Sequence, residues 1–160
     1  MQNTRYLLLI LVTLFSATSW AQNNKEKMVS HIDEIVGNIT NNKELKSVTI
    51  SDKKDKTLTG FYINDSIVKI VKEETKTGID TTSEVFYFEK GKLIFVHESN
   101  KASETAFDGR YYFDNGKMID YSTTGHNRFE NDSLDPEKFW LKDAEKCQKI
   151  LYQKIKKVNN

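Results

Sequence analysis

Glu84, His97 and Asp120 are the residues best placed for proton chemistry. Glu84 and His97 lie on either side of Lys90-Gly91, and a two-residue turn there sets them directly across from one another on paired strands. A carboxylate held against an imidazole can act as a general acid–base pair, and it can equally be an ion pair at the end of a sheet. Asp120 stands where the equivalent stretches carry Ile70 and Phe95, so it interrupts an apolar face with a carboxylate. Gly125-His126-Asn127-Arg128 brings a histidine and an arginine together in a loop, where binding residues concentrate. No nucleophile or carboxylate dyad belongs with that loop by spacing. The sole cysteine, Cys147, occupies an apolar helical position and reads as a buried, inert thiol. No two histidines sit three or four residues apart and no Cys pair exists, so no metal and no cofactor is expected. A Gly-rich phosphate loop and a G-x-S-x-G elbow are both missing from the sequence. No catalytic residue is assigned.

Composition narrows the partners. Residues 1–21 have the three parts of a secretory signal: Arg5 as the only charge, an apolar run from Tyr6 to Phe15, and small residues at Ser19 and Ala21. The apolar run is shorter than the ~20 residues a membrane span needs. A soluble mature domain, residues 22–160, is expected in the periplasm or outside the cell. Removal of Arg5 takes the 24 basic residues to 23, against 23 acidic ones. A net charge of zero disfavours nucleic acid and anionic membranes, which are bound through a basic excess. One cysteine permits no internal disulfide, so the core alone must hold the fold.

The elements follow from periodicity. Met28, Ile32, Ile35 and Ile39 give an apolar stripe over residues 25–40, which Asn41-Asn42 closes. Asp135 can N-cap a second helix with Pro136 at its first position, and Trp140, Ala144, Cys147, Leu151 and Ile155 form its buried stripe. Between the helices a unit of 25 residues recurs. Gly60-Phe61-Tyr62-Ile63-Asn64-Asp65-Ser66 aligns with Val85-Phe86-Tyr87-Phe88-Glu89-Lys90-Gly91 and with Arg110-Tyr111-Tyr112-Phe113-Asp114-Asn115-Gly116. Asn115-Gly116 is a strong hairpin signal, and Lys90-Gly91 and Asp65-Ser66 are weaker forms of it. With a further strand at Leu45–Ser51, the chain reads as α+β: an antiparallel meander of about seven strands, in three hairpin repeats, with an N-terminal and a C-terminal helix packed on one face.

That register pairs Phe88 with Leu93, Phe86 with Phe95, Phe113 with Met118, Tyr111 with Asp120, Ile63 with Val68 and Phe61 with Ile70. These residues form the face expected beneath both helices. The opposite face would carry Tyr62, Tyr87 and Tyr112 at one position of each repeat, beside Ile94, Ile119 and Tyr121. Tyrosine suits an exposed strand surface for structural reasons alone. A tyrosine-rich open sheet is also a favourable protein-binding surface, and these six residues are the candidate binding site.

Tyr111-Tyr112-Phe113-Asp114-Asn115-Gly116-Lys117-Met118-Ile119 and Phe86-Tyr87-Phe88-Glu89-Lys90-Gly91-Lys92-Leu93-Ile94 resemble hairpins of small secreted proteins of Gram-negative bacteria. They are more distantly similar to MORN-type repeats, from which the chain departs in repeat length and in its long connections. The resemblance covers residues 60–121 and implies an antiparallel sheet and a non-enzymatic role. The expected function is an exported protein-binding module, with a periplasmic inhibitor or immunity-type protein as a special case. The alternative is a small ligand- or lipid-binding cup, or a hydrolase, using Glu84, His97 and Asp120.

Overall fold

The computed structural model describes residues 23–52, 55–76, 80–100, 106–125, 129 and 134–159. The expected export signal and the His126–Arg128 part of the loop lie outside them. Helix α1 spans residues 23–41. It is followed by β1 (Lys46–Asp52), β2 (Lys56–Ile63), β3 (Ser66–Lys76), β4 (Asp80–Glu89), β5 (Lys92–Asn100), β6 (Phe107–Asp114), β7 (Lys117–Thr124) and α2 (Pro136–Asn159). The strands form one antiparallel sheet in the order of the chain, a seven-stranded meander. The Lys138 N–H donates to the Asp135 carboxylate at 3.2 Å, so Asp135 is the N-cap of α2. Asn42 ends α1, its N–H reaching the Ile39 carbonyl at 3.3 Å.

The three hairpins turn at Asn64-Asp65, Lys90-Gly91 and Asn115-Gly116. All six turn residues have positive φ, from 49° to 80°, as a type I′ turn requires. The first turn therefore falls one residue earlier than expected. Lys90 follows Asn64 by 26 residues, whereas Asn115 follows Lys90 by 25. It is Phe61, and not Tyr62, that corresponds to Tyr87 and Tyr112.

Each hairpin also carries a bulge, at a position that no residue type marks. Val68, Ile94 and Ile119 are the extra residues on the returning strands. Phe88 faces Leu93 and Phe113 faces Met118, as expected, because these pairs lie between turn and bulge. Beyond the bulge every pair moves by one: Phe86 meets Val96, Glu84 meets Glu98 and Tyr111 meets Tyr121. In the first hairpin, Phe61 meets Lys69. A shift of one residue sends each side chain to the opposite face, which is how Phe95 and His97 leave the face assigned to them.

The helices do not share a face. α2 lays Trp140, Ala144, Cys147, Leu151 and Ile155 on Ile67, Ile70, Phe86, Phe88, Val96, Tyr111 and Phe113. α1 lays Ile32, with Val29, Ile35, Val36 and Ile39, on Tyr87, Ile94, Phe95 and Tyr112. Those two sets alternate along β4, β5 and β6, so the domain has three layers with a core on each side of the sheet. The physical reason is that both faces are apolar, and one helix covers only one of them.

Candidate functional site

The row of tyrosines is not an open surface. Tyr87 and Tyr112 are buried beneath α1 together with Ile94, and Ile119 packs at the margin of the same cluster. Their hydroxyls are taken by the helix: Tyr112 donates to the Asp33 carboxylate at 3.1 Å, and Tyr87 lies 3.1 Å from the Thr40 hydroxyl. Burial, reinforced by the Asp33 carboxylate, pushes the Tyr112 hydroxyl above the usual tyrosine pKa. Tyr62 is on the other face, buried in the α2 core. Of the six candidate binding residues only Tyr121 is well exposed, at 59%, stacked 6.4 Å from Tyr111.

Glu84, His97 and Asp120 are not brought together. His97 and Asp120 point to the α1 side, where the imidazole Nε2 lies 2.6 Å from the Asp108 carboxylate and Asp120 pairs with Lys25 at 2.7 Å. Partial burial would raise the Asp108 carboxyl, but His97 and Arg110 outweigh it and hold Asp108 below the usual carboxylate range. Glu84 points to the α2 side. Its carboxylate lies 2.6 Å from the Lys72 ammonium, which also reaches Asp143 on α2 at 2.7 Å.

Across β3–β6, the register sets Lys72, Glu84, Glu98 and Gly109 in one row on the α2 side. Glu98 is fully buried. Gly109 leaves space that a larger residue would fill: a Cβ there would meet the Tyr111 hydroxyl at 2.9 Å. The row thus crosses the sheet as a line of charge at one end of an otherwise apolar core. Burial draws the Lys72 ammonium pKa down, and the Glu84 and Asp143 carboxylates more than offset this, so it lies above the usual lysine value. Lys72, Glu98 and Asp143 were not anticipated as a cluster. The available signal was Glu84 itself, a charge two residues from Phe86 and four from Phe88, at a spacing that turns it inward.

Beside this row, between α2 and strands β1–β3, runs a groove of about 230 Å³. Ile50, Leu58, Cys147 and Ile150 form its apolar floor, and Lys72, Asp143, Asp52 and Lys56 lie around it. Burial pushes the Cys147 thiol up to about 11, so it stays protonated near neutral pH. Next to the groove is the outer edge of β1, the first strand in the sheet order. β1 pairs one-for-one with β2 over all seven residues, with no bulge. The far edge, β7, differs: it carries a bulge, and its Met118 N–H is capped by the Glu137 carboxylate at 2.7 Å.

Among the described residues no group of three or more His, Cys, Asp or Glu is placed to hold a metal ion, and no helix is long and apolar enough to cross a membrane. Comparison with protein-family models, with curated proteins and with solved structures finds no match to this chain.

Proposed function

We propose that the chain is an exported, non-enzymatic protein-binding module, and that it binds through the β1 end of the sheet. The observation that carries this reading is the contrast between the two edges. Both sheet faces are occupied by the protein's own helices, and β7 is bulged at Ile119 and capped at the Met118 N–H, whereas β1 is regular throughout and adjoins an apolar groove. An exposed regular edge presents backbone N–H and C=O groups that an added strand can pair. The separation of Glu84 from His97 and Asp120 removes the constellation on which a hydrolase would rest. Export is supported by the apolar run Tyr6–Phe15 and by Ser19 and Ala21. Cleavage after Ala21 would leave residues 23–41 of helix α1 in the mature chain.

Photocrosslinking tests this directly. A benzophenone side chain is placed at Thr49, on β1, or at Lys142, exposed on α2, in protein exported from the native host. A discrete protein adduct from position 49, with none from position 142, is the expected result. Equal labelling from both positions, or none from position 49, would overturn the proposal.

A further inference from the structure

We infer that the occupant of the β1 edge is a second copy of this chain, paired antiparallel about a two-fold axis through Thr49. The inference rests on the reading of β1 as the binding edge and names its partner from the strand's own sequence.

β1 is Lys46-Ser47-Val48-Thr49-Ile50-Ser51-Asp52. A two-fold centred on Thr49 sets Lys46 against Asp52 of the other copy, Ser47 against Ser51, Val48 against Ile50, and Thr49 against itself. Each position thus meets its chemical complement: cation with anion, hydroxyl with hydroxyl, β-branched apolar with β-branched apolar. Opposite charges and β-branched pairs directly across a strand pair both stabilise it. A two-fold contact requires a self-complementary patch of this kind. Other alignments lose the match. Parallel pairing in register sets Lys46 beside Lys46 and Asp52 beside Asp52, and an antiparallel shift of two residues sets a charge against an apolar side chain.

The rest of β1 suits the same contact. Ser47 to Ser51 carry no charge and no proline, and the strand has no bulge, so charge stands only at its two ends, Lys46 and Asp52, where the two-fold sets opposite signs together. Val48 and Ile50 face the α2 side, half-buried against the core. Pairing would bring four such side chains, two from each copy, into one patch. That patch continues into the groove, where Ile150 stands 38% exposed. The sheet and its α2-side core would then run through both copies.

Position 49 gives a test that disturbs the monomer fold little, because its side chain is exposed on the edge strand and loses only a solvent-exposed hydroxyl contact with Thr59 at 3.0 Å. Thr49→Lys and Thr49→Glu each place like charges face to face across the two-fold, and an equimolar mixture of the two restores an opposite-charge pair. Sedimentation velocity of the mature protein is expected to show a concentration-dependent dimer. The dimer constant should weaken roughly tenfold or more in either variant alone and recover in the mixture. The charge swap Lys46→Asp with Asp52→Lys in one chain should dimerise like the parent, while either single change weakens it. Melting curves matching the parent establish that each variant is folded. A monomeric parent, or a dimer indifferent to both Thr49 variants, would overturn the inference. If the parent is monomeric and position 49 still crosslinks a different protein, the β1 edge remains the binding site and only the identity of its partner falls.

Discussion

Among the side chains, Lys72 adds an ionic tie between two layers already packed through their apolar core. It bridges Glu84 on the sheet and Asp143 on α2, and the Glu84 side chain is only 7% exposed. Breaking a buried pair by removing one partner is costly, because the remaining charge stays out of water without compensation. Lys72→Met should therefore destabilise the domain by about 2–3 kcal/mol. This is less than a fully buried pair would give, because the Lys72 side chain keeps 36% exposure. A urea melt at neutral pH measures it, and a loss below about 1 kcal/mol would mean that Glu84 is balanced by other groups. The pair also sets a direction with pH. Lys72 and Cys147 both have folded pKa values above their ordinary ones of 10.5 and 9.0, so the fold holds their protons more tightly than the open chain does. Their contribution is complete below those ordinary values and is lost as pH rises through the folded ones. Stability should fall on the alkaline side, and Lys72→Met should flatten that fall. Glu84 was visible in the sequence as an inward charge. Its partner was not, because Lys72 lies across the β3–β4 pairing, whose register is set by a connection with no turn signal to fix it.

At the level of elements, the helices were legible to within a few residues, because the apolar stripes, Asp135 and Pro136 are local signals. Two of the three turns were equally legible from Gly91 and Gly116. The first was misplaced because Asn64-Asp65 lacks a glycine and Ser66 stands next to it, so aligning the aromatic runs outweighed the turn chemistry. The bulges at Val68, Ile94 and Ile119 left no local mark, since each is an apolar residue in an apolar strand. They are nonetheless the device that lets Ile94 and Phe95 both point toward α1. The turns themselves can be ranked by their residues. Lys90 is held at φ 51° and is followed by Gly91, whereas the third hairpin uses Asn115 at φ 49° before Gly116. Asparagine tolerates the left-handed region better than lysine. Lys90→Asn should thus convert the second turn to the Asn-Gly pair of the third and stabilise the domain by about 0.5–1 kcal/mol. The exposed Lys90–Glu89 contact at 3.6 Å subtracts little when it is lost. A shift of the urea midpoint to higher concentration with an unchanged slope is the expected reading. A lower midpoint would mean that the turn is not what limits this hairpin.

For the whole molecule, the two cores differ in depth, and that difference orders the way the domain opens. Five side chains of α2 are buried to 4% exposure or less, whereas α1 buries Ile32 and leaves Val29, Ile35, Val36 and Ile39 half-covered. Each fully buried aliphatic or aromatic side chain contributes about 1.5–3 kcal/mol. The polar ties of α1, from Asp33 to Tyr112, Thr40 to Tyr87 and Lys25 to Asp120, lie at half-open positions where such contacts add about 1 kcal/mol or less each. Both helices are expected on one face only if the tyrosine row is solvated. Ile94 and Ile119 beside those rings were the contrary sign, being too apolar for an open sheet. α1 should then detach as a unit while α2 and the central strands stay folded, a sub-global opening of the kind that amide exchange resolves. Native-state hydrogen exchange is expected to give the amides of residues 27–40 a common opening free energy about 2–4 kcal/mol below that of α2 and β4–β6. The α1 value should change little with low urea, because lifting one helix exposes much less surface than unfolding the sheet. Ile32→Ala should lower the α1 value and leave α2 and β5 nearly unchanged, while Leu151→Ala should lower all of them together. If the α1 amides instead exchange only with global unfolding, and Ile32→Ala lowers α2 equally, the two cores form one cooperative unit and their difference in burial has no consequence for opening.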